Sequence, residues 1–474
     1  MTRLQESGDE ESRDNFSPCW SGGAAAATFI GENHGRGLRC VSQYPYVSLL
    51  PIVQEVTENM PGQLVQTFQL PNGLTLLIEP MADVQSAAFS LLVPAGSIYD
   101  PPDQAGCASV LVELLSRGAG DLNSEELTNA LDNLGLQRSE SAERRYISFG
   151  GATLAENLPA ALRLYADIVR RPHLPEDQFE AAVAGSEQTL LSIEDEPRQK
   201  IMVELRRMCY PAPWGKPSEG SLEGLGNLSM ETVKQHFQRC FRPNESILGV
   251  AGNVDPVEIR ALVEEMFGDW AVQPEPVFLS GPRGVYRDHI EHESTQTQIG
   301  IAFDSVPYRD PEYYSAWAAV GVLSGGSSSR LFTEVRERRG LCYAVYAGLT
   351  SSKDDGRVLC YAGTTVERAQ ETLDVTLQEI RRLRGSIQND ELDRCKARAK
   401  SSLIMQQESS SGRAASLAND WFHLGRVVSL AEVRGQIESL TVARIHEHLE
   451  KYPPQDFTIL TLGPQPLEVP NAVS

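Results

Sequence analysis

His289-Ile290-Glu291-His292 and His446-Glu447-His448 are the groups in this 474-residue chain whose residue types first suggest a metal ion. Their spacing argues against it. The first opens a stretch with strand pattern, where residues three apart face opposite sides of the sheet. The second lies in a helical pattern, where positions two apart point in different directions. Both are therefore read as solvated surface histidines. Gly325-Gly326-Ser327-Ser328-Ser329 precedes a helix and could hold an anion at its N-terminus. It lacks the Lys and the spacing of a phosphate loop, so a flexible helix–helix turn is the better reading. The eight cysteines are scattered without a C-x-x-C pair, which fits a reducing compartment. Cys107 and Cys342 sit in apolar neighbourhoods and read as packing residues rather than nucleophiles.

Composition narrows the function classes. The formal charge of −22 argues against nucleic acid, whose phosphates are met by clustered Lys and Arg. Acidity of this degree mainly keeps a large protein soluble, and it leaves basic peptides open as partners. No run of 18 or more apolar residues occurs, so no membrane span is expected. Residues 1–59 are polar and acidic, then Gly- and Ala-rich, and are expected to be disordered or a mis-assigned extension. They fit neither a secretory signal nor a transit peptide, which makes the cytoplasm the expected location.

Elements must now position any chemistry. A weak internal repeat organises the chain: Phe149-Gly150-Gly151-Ala152-Thr153-Leu154 matches Tyr361-Ala362-Gly363-Thr364-Thr365-Val366 at an offset of 212. The offset recurs where Leu228-Ser229-Met230 meets Leu440-Thr441-Val442, and at 213 where Leu174-Pro175-Glu176-Asp177-Gln178-Phe179 meets Ile387-Gln388-Asn389-Asp390-Glu391-Leu392. Each half reads as strands, helices, a returning strand and a last helix, an α+β unit. In the first half a hairpin over 65–78 turns at Pro71-Asn72-Gly73, the Asn-Gly pair supplying positive φ, and a strand follows over 84–93. Helices are predicted at 103–117, 124–134, 156–170, 176–194, 197–209, 230–240 and 255–267, with strands at 145–154 and 246–252. The second half restarts with a strand at 296–303 and carries helices at 311–323, 366–384 and 389–408. The expected division is 60–270, a Pro- and Gly-bearing linker at 271–288, 289–466, and a tail at 467–474.

Two segments resemble a known family. After Val93-Pro94-Ala95-Gly96-Ser97-Ile98-Tyr99-Asp100, the stretch Gly106-Cys107-Ala108-Ser109-Val110-Leu111-Val112-Glu113-Leu114 is similar to the first active-site helix of the insulinase/pitrilysin zinc metallopeptidases. That family carries an inverted His-x-x-Glu-His motif there, with two His and a water-polarising Glu on one helix face. Here the three places hold Ser109, Val112 and Glu113, and the later helix places Thr189 where the family has its third ligand, a Glu. The ligands are missing. Val112 cannot move a proton, and Glu113 alone cannot assemble the three-ligand set a catalytic zinc needs.

The second segment is intact. Ser329-Arg330-Leu331-Phe332-Thr333-Glu334-Val335-Arg336-Glu337-Arg338-Arg339-Gly340-Leu341-Cys342-Tyr343-Ala344-Val345-Tyr346 resembles, nearly residue by residue, the C-terminal signature of the bacterial and mitochondrial-processing branch. In that branch the segment supplies an Arg and a Tyr that reach the scissile peptide at the zinc of the facing domain. The resemblance assigns those roles to Arg336 and Tyr343, whose guanidinium and hydroxyl suit a carbonyl gaining negative charge. Read without the resemblance, Arg336 is one of several helix-surface charges beside Glu334, Glu337, Arg338 and Arg339, and Tyr343 merely packs.

The resemblance implies two homologous α+β domains, each a mostly antiparallel sheet packed with helices, in a LuxS/metallohydrolase-like, processing-peptidase subunit architecture. It further implies a non-catalytic subunit that holds no cofactor itself and works with a homologous zinc-carrying peptidase chain on peptide substrates. An inert structural or peptide-holding core subunit of the same fold is the alternative.

Overall fold

The structure, a computed structural model, describes residues 55–60, 63–278 and 280–469. Most of the expected polar extension, residues 1–54, lies outside the described residues, as does the chain from 470. Twelve strands and fourteen helices alternate among the described residues. The strands are β1 (Glu55–Met60), β2 (Gln63–Gln69), β3 (Thr75–Pro80), β4 (Ser86–Val93), β5 (Gln137–Ala142), β6 (Ile147–Leu154), β7 (Ile247–Gly252), β8 (Arg287–Glu291), β9 (Gln296–Ser305), β10 (Cys342–Ser351), β11 (Gly356–Thr365) and β12 (Thr458–Gly463). The helices of the first part are α1 (Cys107–Leu115), α2 (Ser124–Asn133), α3 (Leu158–Arg170), α4 (Phe179–Asp195), α5 (Pro197–Cys209), α6 (Leu222–Gly226), α7 (Met230–Cys240) and α8 (Pro256–Phe267). Those of the second are α9 (Tyr313–Ser324), α10 (Ala369–Arg382), α11 (Asn389–Gln407), α12 (Ser410–Leu424), α13 (Leu430–Ser439) and α14 (Val442–Lys451).

The repeat is visible in the sheets. The first runs β1-β2-β3-β7-β4-β6-β5 and the second β8-β12-β9-β11-β10, so the same five-strand order occurs twice and the hairpin β1-β2 is added to one. Neighbours are antiparallel except β3 with β7 and β8 with β12, which are parallel in both sheets. The architecture is thus α+β, with two mostly antiparallel sheets packed with helices. Among the described residues no helix is long and apolar enough to cross a membrane.

Local chemistry explains where elements start and stop. Asn123 accepts from the N–H groups of Glu125 and Glu126 while Glu126 reaches back to Asn123, a capping box that starts α2. Pro197 sits at the first turn of α5, where its missing N–H costs nothing. At the 71–73 turn the structure corrects the sequence reading. Gly73 alone has positive φ, at 88°. Asn72 works through its side chain, donating to the carbonyls of Phe267 (2.6 Å) and Trp270 (3.1 Å) and so tying the hairpin to the end of α8.

The two sheets exchange helices. α5 packs on β9 and β12 of the second sheet, whereas its repeat counterpart α12 packs on β4, β7, β3 and β6 of the first. Ile201, Met202 and Leu205 of α5 share a core with Leu359, Leu460 and Leu462. Leu417 and Ala418 of α12 pack with Val65, Leu77, Leu92 and Ile247. The close approach depends on Gly249 in β7, where a Cβ would stand 2.5 Å from the Ala414 carbonyl oxygen. Beside it, Arg413 donates from Nε (2.9 Å) and Nη2 (2.7 Å) to Glu79 Oε2, and the two side chains are only 2% and 7% exposed.

Candidate functional site

α1 buries Cys107, Ala108, Val110, Leu111, Leu114 and Leu115. That leaves Ser109, Val112 and Glu113, spaced three and four apart, as its less buried stripe. Ser109 and Val112 are half-buried; Glu113 is 52% exposed, and its Oε2 stands 3.9 Å from Arg117 Nη2. α4 packs against α1. Thr189 on α4 is exposed, and its hydroxyl donates to the Gly185 carbonyl one turn back (3.1 Å), so that oxygen serves its own helix. The stripe offers a hydroxyl, a valine methyl pair and one surface carboxylate, with no imidazole or thiol. Such a set differs from the His-and-carboxylate ligands usual at a catalytic zinc.

The second set lies at the edge of the other sheet. Phe332–Glu337 forms a turn of π-helix, a geometry that inserts one residue and is frequent at functional sites. Within it Glu334 is tied down by Arg338 and by Arg339, whose Nη1 donates to Oε2 at 2.7 Å. Arg330 anchors the segment from the other end, its Nε and Nη2 each 2.7 Å from a different oxygen of Glu391. Arg336 is set apart from these pairs. Its guanidinium stacks over the rings of Phe332 (4.7 Å) and Tyr343 (5.1 Å), with Glu337 Oε1 at 3.7 Å. Tyr343 is the second residue of the edge strand β10 and is 84% exposed. The two residues named from the sequence are therefore brought together, and Tyr343 does not pack in the core. Burial pushes the neighbouring Cys342 thiol up to about 11, with the Arg336 charge acting the other way.

The histidine groups separate. His289 is in β8, its Nδ1 2.8 Å from the Thr461 hydroxyl, and His446 accepts from the Ile387 N–H at 3.2 Å. His448 is a correction to the solvated reading. It is only 4% exposed, with Nδ1 3.9 Å from Glu312 Oε2. The helical wheel of α14 carries Ile445, His448 and Leu449 on one buried face, which outweighs the polarity of one imidazole. Cys107 and Cys342 are both buried.

One polar cluster escaped the sequence reading. Asp100, Cys107 and His236 place a carboxylate oxygen, a sulfur and a ring nitrogen within 4.8 Å of one another, behind α1 on its buried side. Asp100 accepts from the N–H groups of Gly106 (2.8 Å) and Ala108 (2.9 Å), and so holds the start of α1. Burial raises its carboxyl to about 7 and lowers the His236 imidazole to about 4. Only the fold joins α7 to α1, so nothing local in the sequence marked this group.

Comparison with known proteins bears on family and fold. The family profile described as insulinase (peptidase family M16) matches residues 76–212, and the one described as peptidase M16 inactive domain matches 227–399. The chain belongs to the insulinase-type M16 peptidase family. A Bacillus subtilis (strain 168) protein described as the uncharacterized zinc protease YmxG is 23% identical over 407 residues, covering 85% of this chain and 98% of that protein. An uncharacterized zinc protease of Mycobacterium tuberculosis is 27% identical, covering 83% and 92%. In fold, the chain is similar to a peptidase M16 inactive domain structure from Pseudomonas fluorescens, with a TM-score of 0.76 at 20% identity and 86% and 99% coverage. A protease structure from Helicobacter pylori gives a TM-score of 0.76 at 19% identity, covering 85% and 99%.

Proposed function

We propose that this M16 chain is the non-catalytic, substrate-binding subunit of a two-chain zinc metallopeptidase. The observation that carries the reading is a contrast between two places in one chain. The helix face where the family keeps its zinc motif holds Ser109, Val112 and Glu113, facing a helix that carries Thr189. The second half keeps Arg336 and Tyr343 stacked at the surface with their polar ends free of the core. In this reading the catalytic zinc belongs to a homologous partner chain, and the peptidase position here holds none. Arg336 and Tyr343 act in trans. They bind the scissile carbonyl of a peptide and stabilise the negative charge that develops on its oxygen, without themselves moving the proton or supplying the water. A scaffold subunit has no use for an exposed Arg–Tyr pair, which favours this reading over an inert core protein. The proposed compartment is the cytoplasm.

The test is reconstitution with a co-purifying homologue that bears His-x-x-Glu-His. Arg336→Ala and Tyr343→Phe are each expected to lower kcat/KM of the pair by about 10²-fold, the scale of losing one oxyanion donor. Unchanged kinetics in both variants, with pairing intact, would refute it.

A further inference from the structure

We infer that Asp100, Cys107 and His236 form a buried site for a thiophilic divalent metal ion, zinc in the first instance, distinct from the peptidase position. The argument begins with His236. Its side chain is wholly buried, and one ring nitrogen, Nε2, lies 2.9 Å from the Ala95 carbonyl oxygen. A carbonyl can only accept, so Nε2 carries the proton and Nδ1 presents a bare lone pair. Among the described residues that nitrogen has no hydrogen-bond partner. It faces Asp100 Oδ1 at 4.0 Å, too far for a hydrogen bond. An imidazole whose N–H is fixed on a backbone carbonyl while its other nitrogen points at a carboxylate and a sulfur is the usual setting of a metal-ligating histidine.

The donor set selects the ion. One thiolate, one imidazole and one carboxylate suit zinc and exclude calcium and magnesium, which take oxygen alone. In a tetrahedral zinc site donor atoms stand ~3.3–3.8 Å apart, given metal–ligand bonds of ~2.0–2.3 Å. The three atoms here lie within 4.8 Å, so closing on an ion requires only small side-chain rotations. Charge also balances: a divalent cation meets the Asp100 carboxylate, a Cys107 thiolate and a neutral imidazole, leaving no net charge in the core. The thiol proton leaves to solvent as the Cys107–metal bond forms. Burial and the Asp100 carboxylate hold the Cys107 thiol protonated, with Arg239 acting the other way, so the ion itself displaces that proton as it binds. The fourth position is left to a water, which keeps the site neutral.

This position gives the ion a structural task. Asp100 holds the start of α1 and His236 sits mid-way along α7, so an ion between them pins the helix on which the peptidase motif was lost to its neighbour. The site is closed by burial and is a structural site rather than a catalytic one.

Cobalt(II) added to the chelator-treated full chain is the probe. Binding of about one equivalent is expected, with a thiolate-to-cobalt charge-transfer band in the near ultraviolet, displaced by zinc. Cys107→Ala and His236→Gln should abolish the band, and Cys395→Ala, a buried thiol outside the cluster, should keep it. Absence of the band from the unmodified chain, or its persistence in Cys107→Ala, would overturn the proposal. Should His236→Gln not fold, these two spectra decide alone.

Discussion

Arg413→Met tests whether the exchanged helix α12 holds the two sheets as one cooperative unit. The substitution keeps a long stem and removes the guanidinium, so packing on the first sheet is largely conserved while the ion pair goes. The Arg413 and Glu79 side chains are 2% and 7% exposed, and two donors reach one carboxylate oxygen at 2.9 and 2.7 Å. Hydrogen bonds to a charged group contribute ~1.5–3 kcal/mol each. Their loss, with Glu79 still buried, is expected to cost ~3–5 kcal/mol, the range for breaking a buried pair from one side. Glu79→Gln in the same chain removes the buried charge and should recover more than half of the loss, since a buried pair and a neutral replacement differ little. Urea unfolding followed by tryptophan fluorescence and far-ultraviolet circular dichroism measures both effects. The unmodified chain should show coincident transitions, because neither sheet is covered without the other's helix. A single variant within ~0.5 kcal/mol of the unmodified chain, or a double variant no better than the single one, would refute the reasoning.

Two further outcomes are expected. Asp420 accepts from the Val428 N–H (3.3 Å) and the Tyr308 hydroxyl (3.4 Å), and burial raises its carboxyl from 3.8 to about 7. Between those values the unfolded chain releases the proton and the folded chain keeps it, so stability from this group falls as pH rises through the window. Asn has no proton to lose, and the urea midpoint of Asp420→Asn should rise relative to the unmodified chain between about pH 4.5 and about pH 8; a constant difference would contradict the assignment. Gly249→Ala places a methyl 2.5 Å from the Ala414 carbonyl and should cost ~1–3 kcal/mol through displacement of α12. Gly435→Ala, in open space on α13, should stabilise by ~0.5–1 kcal/mol instead, and thermal unfolding of the two variants should separate in sign.

Strong periodicity made the helices of the first half legible: 124–134, 197–209, 230–240 and 255–267 each match an observed helix to within a residue at either end. The repeat at 212 carried the two-sheet α+β plan. What escaped was set by contacts rather than by pattern. β5 reads Gln-Arg-Ser-Glu-Ser-Ala, a polar edge strand whose only claim to be a strand is its ladder with β6. α12 sets Ser410, Ala414 and Ala418 against the sheet beside a single Leu417, and such small residues carry little hydrophobic signal until Gly249 is known to lie opposite. Asn72 resembled a left-handed turn residue because its side-chain partners lie 195 and 198 positions away.

The same distinction governs the sites. Arg336 and Tyr343 are singled out only by the resemblance of their segment, and they meet in space because they lie seven apart on a π-turn followed by an edge strand, which fixes their stacking locally. Asp100, Cys107 and His236 are not singled out, because a lone His on an amphipathic helix is ordinarily a core residue, and here it becomes more only through an orphaned Nδ1 that local sequence does not encode. The neighbours of Cys107 mark it as a packing residue, and burial agrees. Burial and ligation are compatible for a thiol, however, since an apolar shell strengthens a metal–thiolate bond once the ion has displaced the proton. The makeup of the outer face of α1, with Ser109, Val112 and Glu113, thus says nothing against an ion on the other face, and the cobalt spectrum of Cys107→Ala bears on that buried face alone.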